Sequence, residues 1–147
     1  MTDTKTYTRE MLQLFEREFQ EIANSIFGAA HPALAAMQKY HLGWEGPGSG
    51  AKAQGKRIRP LFLLLTSMAV GGDWKRSIPA AVAVELVHNF SLIHDDIQDR
   101  SELRRGRATL WVKWGNPQAI NAGDAMFASA HLALQRLIPD FDPSTIL

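Results

Sequence analysis

The chain has 147 residues, 46% of them apolar, and its 16 lysines and arginines against 15 aspartates and glutamates leave a formal net charge of +1. That length fits one domain or part of a larger one. The near-neutral balance excludes a whole-chain electrostatic footprint for nucleic acid or an anionic membrane, and the lack of cysteine excludes disulfides and thiolate metal sites.

Met1 to Glu10 are polar and charged, with no secretory leader, so a cytoplasmic protein is expected. From Thr8 the apolar residues Met11, Phe15, Phe19, Ile22 and Ile26 recur at steps of three and four, which places them on one face of an amphipathic helix. A short helical segment follows at Pro32 to His41. The stretch 43–56 contains Gly43, Gly46, Pro47, Gly48, Gly50 and Gly55 and reads as a loop without regular structure. Pro60 suits the first turn of the next helix, which Gly71-Gly72 ends, and Pro79 opens another in the same way. That helix carries Val82, Leu86, Phe90 and Ile93 on one side. Its apolar stretch, Ile78 to Ile93, is interrupted by Glu85, His88 and Asn89 and is shorter than the roughly 20 residues of a bilayer span, so no stable membrane insertion is expected. Asn116-Pro117 starts an alanine-rich helix running to about Ile138, whose small residues allow close packing. No sustained alternating pattern signals a strand, and the fold expected is an all-α helical bundle. Asp142-Pro143-Ser144 is a further helix-start signal with too few residues after it to form a helix, which points to a chain cut from a longer parent.

The chemistry concentrates in His94-Asp95-Asp96-Ile97-Gln98-Asp99. On a helix, Asp95 and Asp99 share a face and repel each other, and at a C-terminal end they also oppose the helix dipole. A divalent cation relieves both penalties, and oxygen ligands from one or two carboxylates, completed by water and phosphate, are the usual surroundings of Mg²⁺. The plainer alternative is a solvated helix end, or an ion pair of Asp96 with Arg100. Two basic clusters bracket the acids. Gly55-Lys56-Arg57-Ile58-Arg59-Pro60 brings cations and free backbone N–H groups to a helix start, where an anion can bind. Arg104-Arg105-Gly106-Arg107 supplies the second. Metal ligands between two cationic clusters fit a site that holds two diphosphates at once.

These segments, together with Glu85 to Asp99, Ala108-Thr109 and Ala122-Gly123-Asp124, resemble in order and spacing the first half of the trans-isoprenyl diphosphate synthases, or polyprenyl synthetases, over roughly residues 50 to 138. The resemblance implies the N-terminal part of a single isoprenoid synthase domain, with Mg²⁺ on Asp95 and Asp99 and with Asp96 in support. It implies isopentenyl diphosphate on Lys56, Arg59, His88 and Arg105, an allylic diphosphate on Arg104, and a further contact from Arg57. Catalysis would rest on Asp95, Asp96, Asp99, Arg104 and Arg105. Phe90, five residues before Asp95, would close the product pocket and give a farnesyl or geranylgeranyl product. A homodimer is implied, with Ala122 to Ala133 as a contact surface.

The second aspartate-rich motif of that family is missing from these residues, and Asp140-Phe141-Asp142 has the wrong spacing to replace it. The chain alone is therefore expected to have little synthase activity. Two alternatives stay open: a non-catalytic helical subunit of a heteromeric prenyl synthase, and a terpene cyclase. The Lys56 and Arg59 pair speaks against the cyclase, which has no second diphosphate to hold.

Overall fold

The structure, a computed structural model, describes residues 4–29, 31–142 and 144. Among the described residues seven helices run in order: α1 (Thr4–Phe27), α2 (Pro32–His41), α3 (Ala51–Gln54), α4 (Ile58–Ala69), α5 (Ile78–Gln98), α6 (Leu110–Trp114) and α7 (Asn116–Leu134), followed by a 3₁₀ turn at Gln135–Leu137. The bundle expected from the helical periodicity is thus present. Pro32, Pro79 and Pro117 each stand in the first turn of a helix, where the missing N–H costs nothing.

The centre of the molecule is the pair α5 and α7, with α1 lying across both. From α5, Val82, Leu86, Asn89 and Ile93 are buried, and from α7 Ala122, Gly123, Met126, Ala130 and Ala133 meet them. The small residues of α7 let the two backbones approach, and the tightest point is Gly123, where a Cβ would lie 2.4 Å from the His94 ring. The small residues of this face are spent inside the chain, whereas Phe127, Ala128, His131 and Leu132 of the same stretch face outward. The exposed apolar side chains of α7 are Ile120, Phe127 and Leu132. Helix α1 contributes Met11, Phe15 and Phe19, all with no exposure. The Phe15 and Phe19 rings stack at 5.5 Å, and Trp44 meets Phe19 edge-on at 5.0 Å. Each fully buried ring stabilises the fold by roughly 1.5–3 kcal/mol relative to exposure.

Three details depart from the sequence reading. The glycine loop 43–56 contains one helical turn, α3. A small antiparallel hairpin pairs β1 (Leu103–Arg104) with β2 (Arg107–Ala108), too short to leave an alternating pattern. Its turn residues Arg105 and Gly106 both have positive φ, 52° and 76°, the left-handed geometry that matches strand twist. The third is α6, which the sequence pass left unassigned. Asp142 Oδ1 accepts from the backbone N and Oγ of Ser144, as a helix cap would, and residues 145–147 fall outside the described residues.

Candidate diphosphate and metal site

Helix α5 ends at Gln98, with Asp99 as its C-cap and the Asp99 N–H donating to Asp95 O. Asp95 and Asp99 are exposed, one turn apart, and neither carboxylate makes a hydrogen bond or ion pair among the described residues. The charge of Arg104 offsets part of their mutual repulsion and of their position at the negative helix pole, and with no direct side-chain partner among the described residues they remain open to a cation. Two free carboxylates suit Mg²⁺, which fills its other positions with water and phosphate. Among the described residues no group of three or more His, Asp or Glu side chains is placed to hold a metal ion.

Asp96 behaves differently, and the expectation of a supporting metal contact is corrected. It points inward at 2% exposure and takes a two-pronged ion pair from Arg104, with Nε at 2.8 and 2.9 Å and Nη2 at 2.7 Å. The bond from Asp96 holds the Arg104 guanidinium above its ordinary pKa, with help from the charges of Asp95 and Asp99. Among the described residues Arg104 Nη1 has no bond, so the residue keeps one edge for an anion. The loop between α5 and the hairpin is fixed by Thr109 Oγ1 and Trp111 Nε1, both donating to the Ser101 carbonyl at 2.9 Å.

The hairpin also organises the glycine loop. Arg105 Nη1 donates to the Ala53 carbonyl at 2.8 Å, and its guanidinium lies so close to Gly55 that a Cβ there would be 2.8 Å away. Burial, and next the nearby charge of Arg57, lowers the Arg105 pKa, and no acidic side chain pairs with it. Arg107 is buried, stacks on the Tyr40 ring at 3.9 Å and donates to the carbonyls of Tyr40, Glu45 and Pro47 at 2.6, 2.6 and 3.0 Å. These bonds satisfy loop carbonyls that glycine turns leave unpaired.

Beyond the loop, Lys56 and Arg59 are exposed and unpaired by acids, and Arg59 Nη1 reaches His88 Nε2 at 3.1 Å. Burial, followed by the Arg59 charge, lowers the His88 pKa, which favours a neutral ring that accepts from the guanidinium. The fold therefore brings Arg59, His88 and Arg105 to one region with Lys56 beside them. Arg57 is not part of that surface. It is 7% exposed and committed to Glu16 and Glu85, which corrects its assignment as a further diphosphate contact. Phe90 is half-buried, 4.7 Å from the His94 ring and 5.0 Å from Phe127. One turn up the helix, Val84, Val87, Phe127 and Leu134 line a groove of about 310 Å³ between α5 and α7.

The sequence reading missed the partners of Arg57, the role of Arg107, and His41. An acid inside an apolar helical run, as Glu85 is, was the available signal for the first. His41 Nε2 is buried without a hydrogen-bond partner, although the residue as a whole keeps some exposure. Burial, then Arg105, Arg104 and Arg107, pushes its pKa down to about 3.

The chain matches the polyprenyl synthetase family over residues 49–146. It belongs to the polyprenyl synthetase family. Relatives include the (2E,6E)-farnesyl diphosphate synthase of Mycobacterium tuberculosis, 47% identical over 105 residues, which are 70% of this chain and 29% of that protein. The geranylgeranyl diphosphate synthase of Saccharolobus solfataricus is 52% identical over 93 residues, 63% of this chain and 28% of that protein. Among solved structures, the geranylgeranyl pyrophosphate synthetase of Geoglobus acetivorans superposes with a TM-score of 0.77 at 35% identity, covering 94% of this chain and 40% of that one. A polyprenyl synthase from Caulobacter crescentus, complexed with calcium and isoprenyl diphosphate, gives a TM-score of 0.72 at 26% identity, covering 87% of this chain and 36% of that one. As a polyprenyl synthetase the chain thus spans about three tenths of the length of these curated relatives. Among the described residues no helix is long and apolar enough to cross a membrane.

Proposed function

We propose that these residues form the first diphosphate-binding wall of a short-chain prenyltransferase, which joins isopentenyl diphosphate to an allylic diphosphate and gives a farnesyl or geranylgeranyl product. The observation that carries this reading is the separation of unpaired charge: Asp95 and Asp99 free on one side of Arg104, and Lys56, Arg59 and Arg105 without acidic partners on the other. Each set is costly alone, and a metal-bound diphosphate beside a second diphosphate satisfies both.

Mg²⁺ held by Asp95 and Asp99 would neutralise the allylic diphosphate as it leaves. The free edge of Arg104 adds a donor to the same leaving group, where negative charge grows most in the transition state. Lys56, Arg59 and Arg105, with His88 supporting Arg59, hold the diphosphate of isopentenyl diphosphate so that its double bond faces the allylic carbon. The allylic carbon–oxygen bond breaks first and diphosphate leaves with its electron pair, the double bond of isopentenyl diphosphate then attacks the allylic cation, and a proton is lost to give a chain five carbons longer. Phe90, backed by Phe127, closes the path along α5 and limits the product length. Its ring stands between the acidic end of the helix and the groove one turn further up.

A homodimer in the cytoplasm completes this reading, with the exposed apolar side chains of α7 available for the contact. Residues 1–147 carry one aspartate-rich motif, so alone they turn over little or no substrate. That single motif favours a second reading, a helical subunit that becomes productive only with a partner. Co-purification with a partner, and activity only in the mixture, would support it.

Titration calorimetry of the chain with isopentenyl diphosphate and Mg²⁺ tests the main proposal. Binding that weakens about tenfold or more in Lys56→Ala and Arg59→Ala is the expected result. A chain that binds an allylic diphosphate but not isopentenyl diphosphate would instead support a cyclase-like site and refute this one.

A further inference from the structure

Arg57 stands between Lys56 and Arg59, yet it is the basic residue of that segment that solvent does not reach. Its Nη1 donates to Glu85 on α5 at 2.7 Å, and its Nε and Nη2 donate to Glu16 on α1 at 3.0 and 3.2 Å. The guanidinium also lies 5.1 Å from the centre of the Phe19 ring. Glu85 is held in turn, since Asn89 Nδ2 donates to its Oε1 at 3.1 Å and to its carbonyl at 2.8 Å. One side chain therefore ties the entrance of α4 to both α1 and α5.

The backbone at that entrance needs a tie. Arg57 is the N-cap of α4, has a left-handed φ of 50°, and gives the helix no side-chain cap. A non-glycine residue keeps such a conformation when its surroundings impose it. The ion pairs hold the side chain that carries this backbone conformation, and removing one partner of the buried pair with Glu85 would strand a charge away from water. Burial would lower the Arg57 pKa, but Glu16 and Glu85 outweigh it and the net shift is upward, so the cation is permanent. The two carboxylates outweigh the single charge of Arg57, while Lys56 and Arg59 stay exposed with no ion pair among the described residues. Glu85 is also one turn before His88, the ring that Arg59 touches, so the inner and outer contacts join the same two helices.

We propose that Arg57, acting through Glu85 and Glu16, is a positioning residue that presents Lys56 and Arg59 together to one diphosphate group. This rests on the proposed function and adds the device that shapes the site. Three variants separate positioning from general support of the fold: Arg57→Met, Arg57→Lys, and the double change Arg57→Met with Glu85→Gln. Each is measured by thermal unfolding and by calorimetry with isopentenyl diphosphate and Mg²⁺.

Arg57→Met should lose stability and bind about tenfold more weakly, because a buried carboxylate is left unpaired and the loop is released. The double change removes that unpaired charge and should recover most of the melting temperature while affinity stays at least about fivefold down. Arg57→Lys should restore part of the affinity. A double variant that binds as tightly as the unaltered chain would overturn the inference and leave the diphosphate site standing. An unaltered chain that binds no diphosphate would overturn the proposed function and this inference with it.

Discussion

The Asp96 and Arg104 pair offers the sharpest quantitative test, because one partner is nearly inaccessible and the other is not. Asp96 is 2% exposed, whereas the Arg104 side chain is 31% exposed, and three contacts of 2.7–2.9 Å join them. Breaking a fully buried pair costs about 3–5 kcal/mol, and partial exposure of the arginine reduces this to about 2 kcal/mol for Asp96→Asn. Arg104→Gln is expected to cost about 3 kcal/mol, since it strands a carboxylate that water cannot reach. The double variant loses the charge on both sides and should cost less than the sum, with a coupling of about 2 kcal/mol. For a domain of this size, a loss of about 2 kcal/mol lowers the melting temperature by roughly 6 °C. Urea unfolding followed by circular dichroism gives all four corners of the cycle. Effects that add within about 0.5 kcal/mol would show that the pair is not coupled and that Asp96 has another task, such as the metal support first expected of it.

Asp95→Ala and Asp99→Ala should leave stability unchanged or slightly raised, since like charges at a helix C-terminus are removed. They should abolish the Mg²⁺-dependent part of diphosphate binding in calorimetry. Gly55→Ala should destabilise by at least about 1–2 kcal/mol, because φ there is +85° and the new Cβ meets the Arg105 guanidinium. The change is read by urea unfolding. His41, with its pKa lowered from 6.5 to about 3, binds its proton more readily unfolded than folded. Its contribution is therefore present above about pH 6.5 and is lost as the pH falls toward about 3, and His41→Gln should flatten that part of the stability profile. In an active synthase that contains these residues, Phe90→Ala should lengthen the prenyl product, and an unchanged product distribution on chromatography would refute its role as a floor.

The helices were legible because their signals are local: the apolar spacing of α1, the prolines that open α2, α5 and α7, and the glycines that end α4. Asp95 and Asp99 were legible for the same reason, since four residues on a helix fix a shared face without any knowledge of the fold. Asp96 and Arg57 were misjudged for the opposite reason. Their neighbours in sequence are exposed site residues, but their direction is set by Arg104 eight positions away and by Glu16 and Glu85 on other helices. A motif supplies the residue types, and only packing decides which of them turn inward. The hairpin escaped notice because two residues per strand carry no periodicity, although Arg105-Gly106 offered a turn signal.

The three carbonyls gripped by Arg107 belong to residues 60 to 67 positions earlier in the chain. During synthesis the glycine segment leaves the ribosome long before the arginine that gives it shape. Any nascent or proteolytic piece that stops short of the hairpin would carry Lys56, Arg59 and the ion pairs of Arg57, yet lack the arginine that shapes the glycine loop before them.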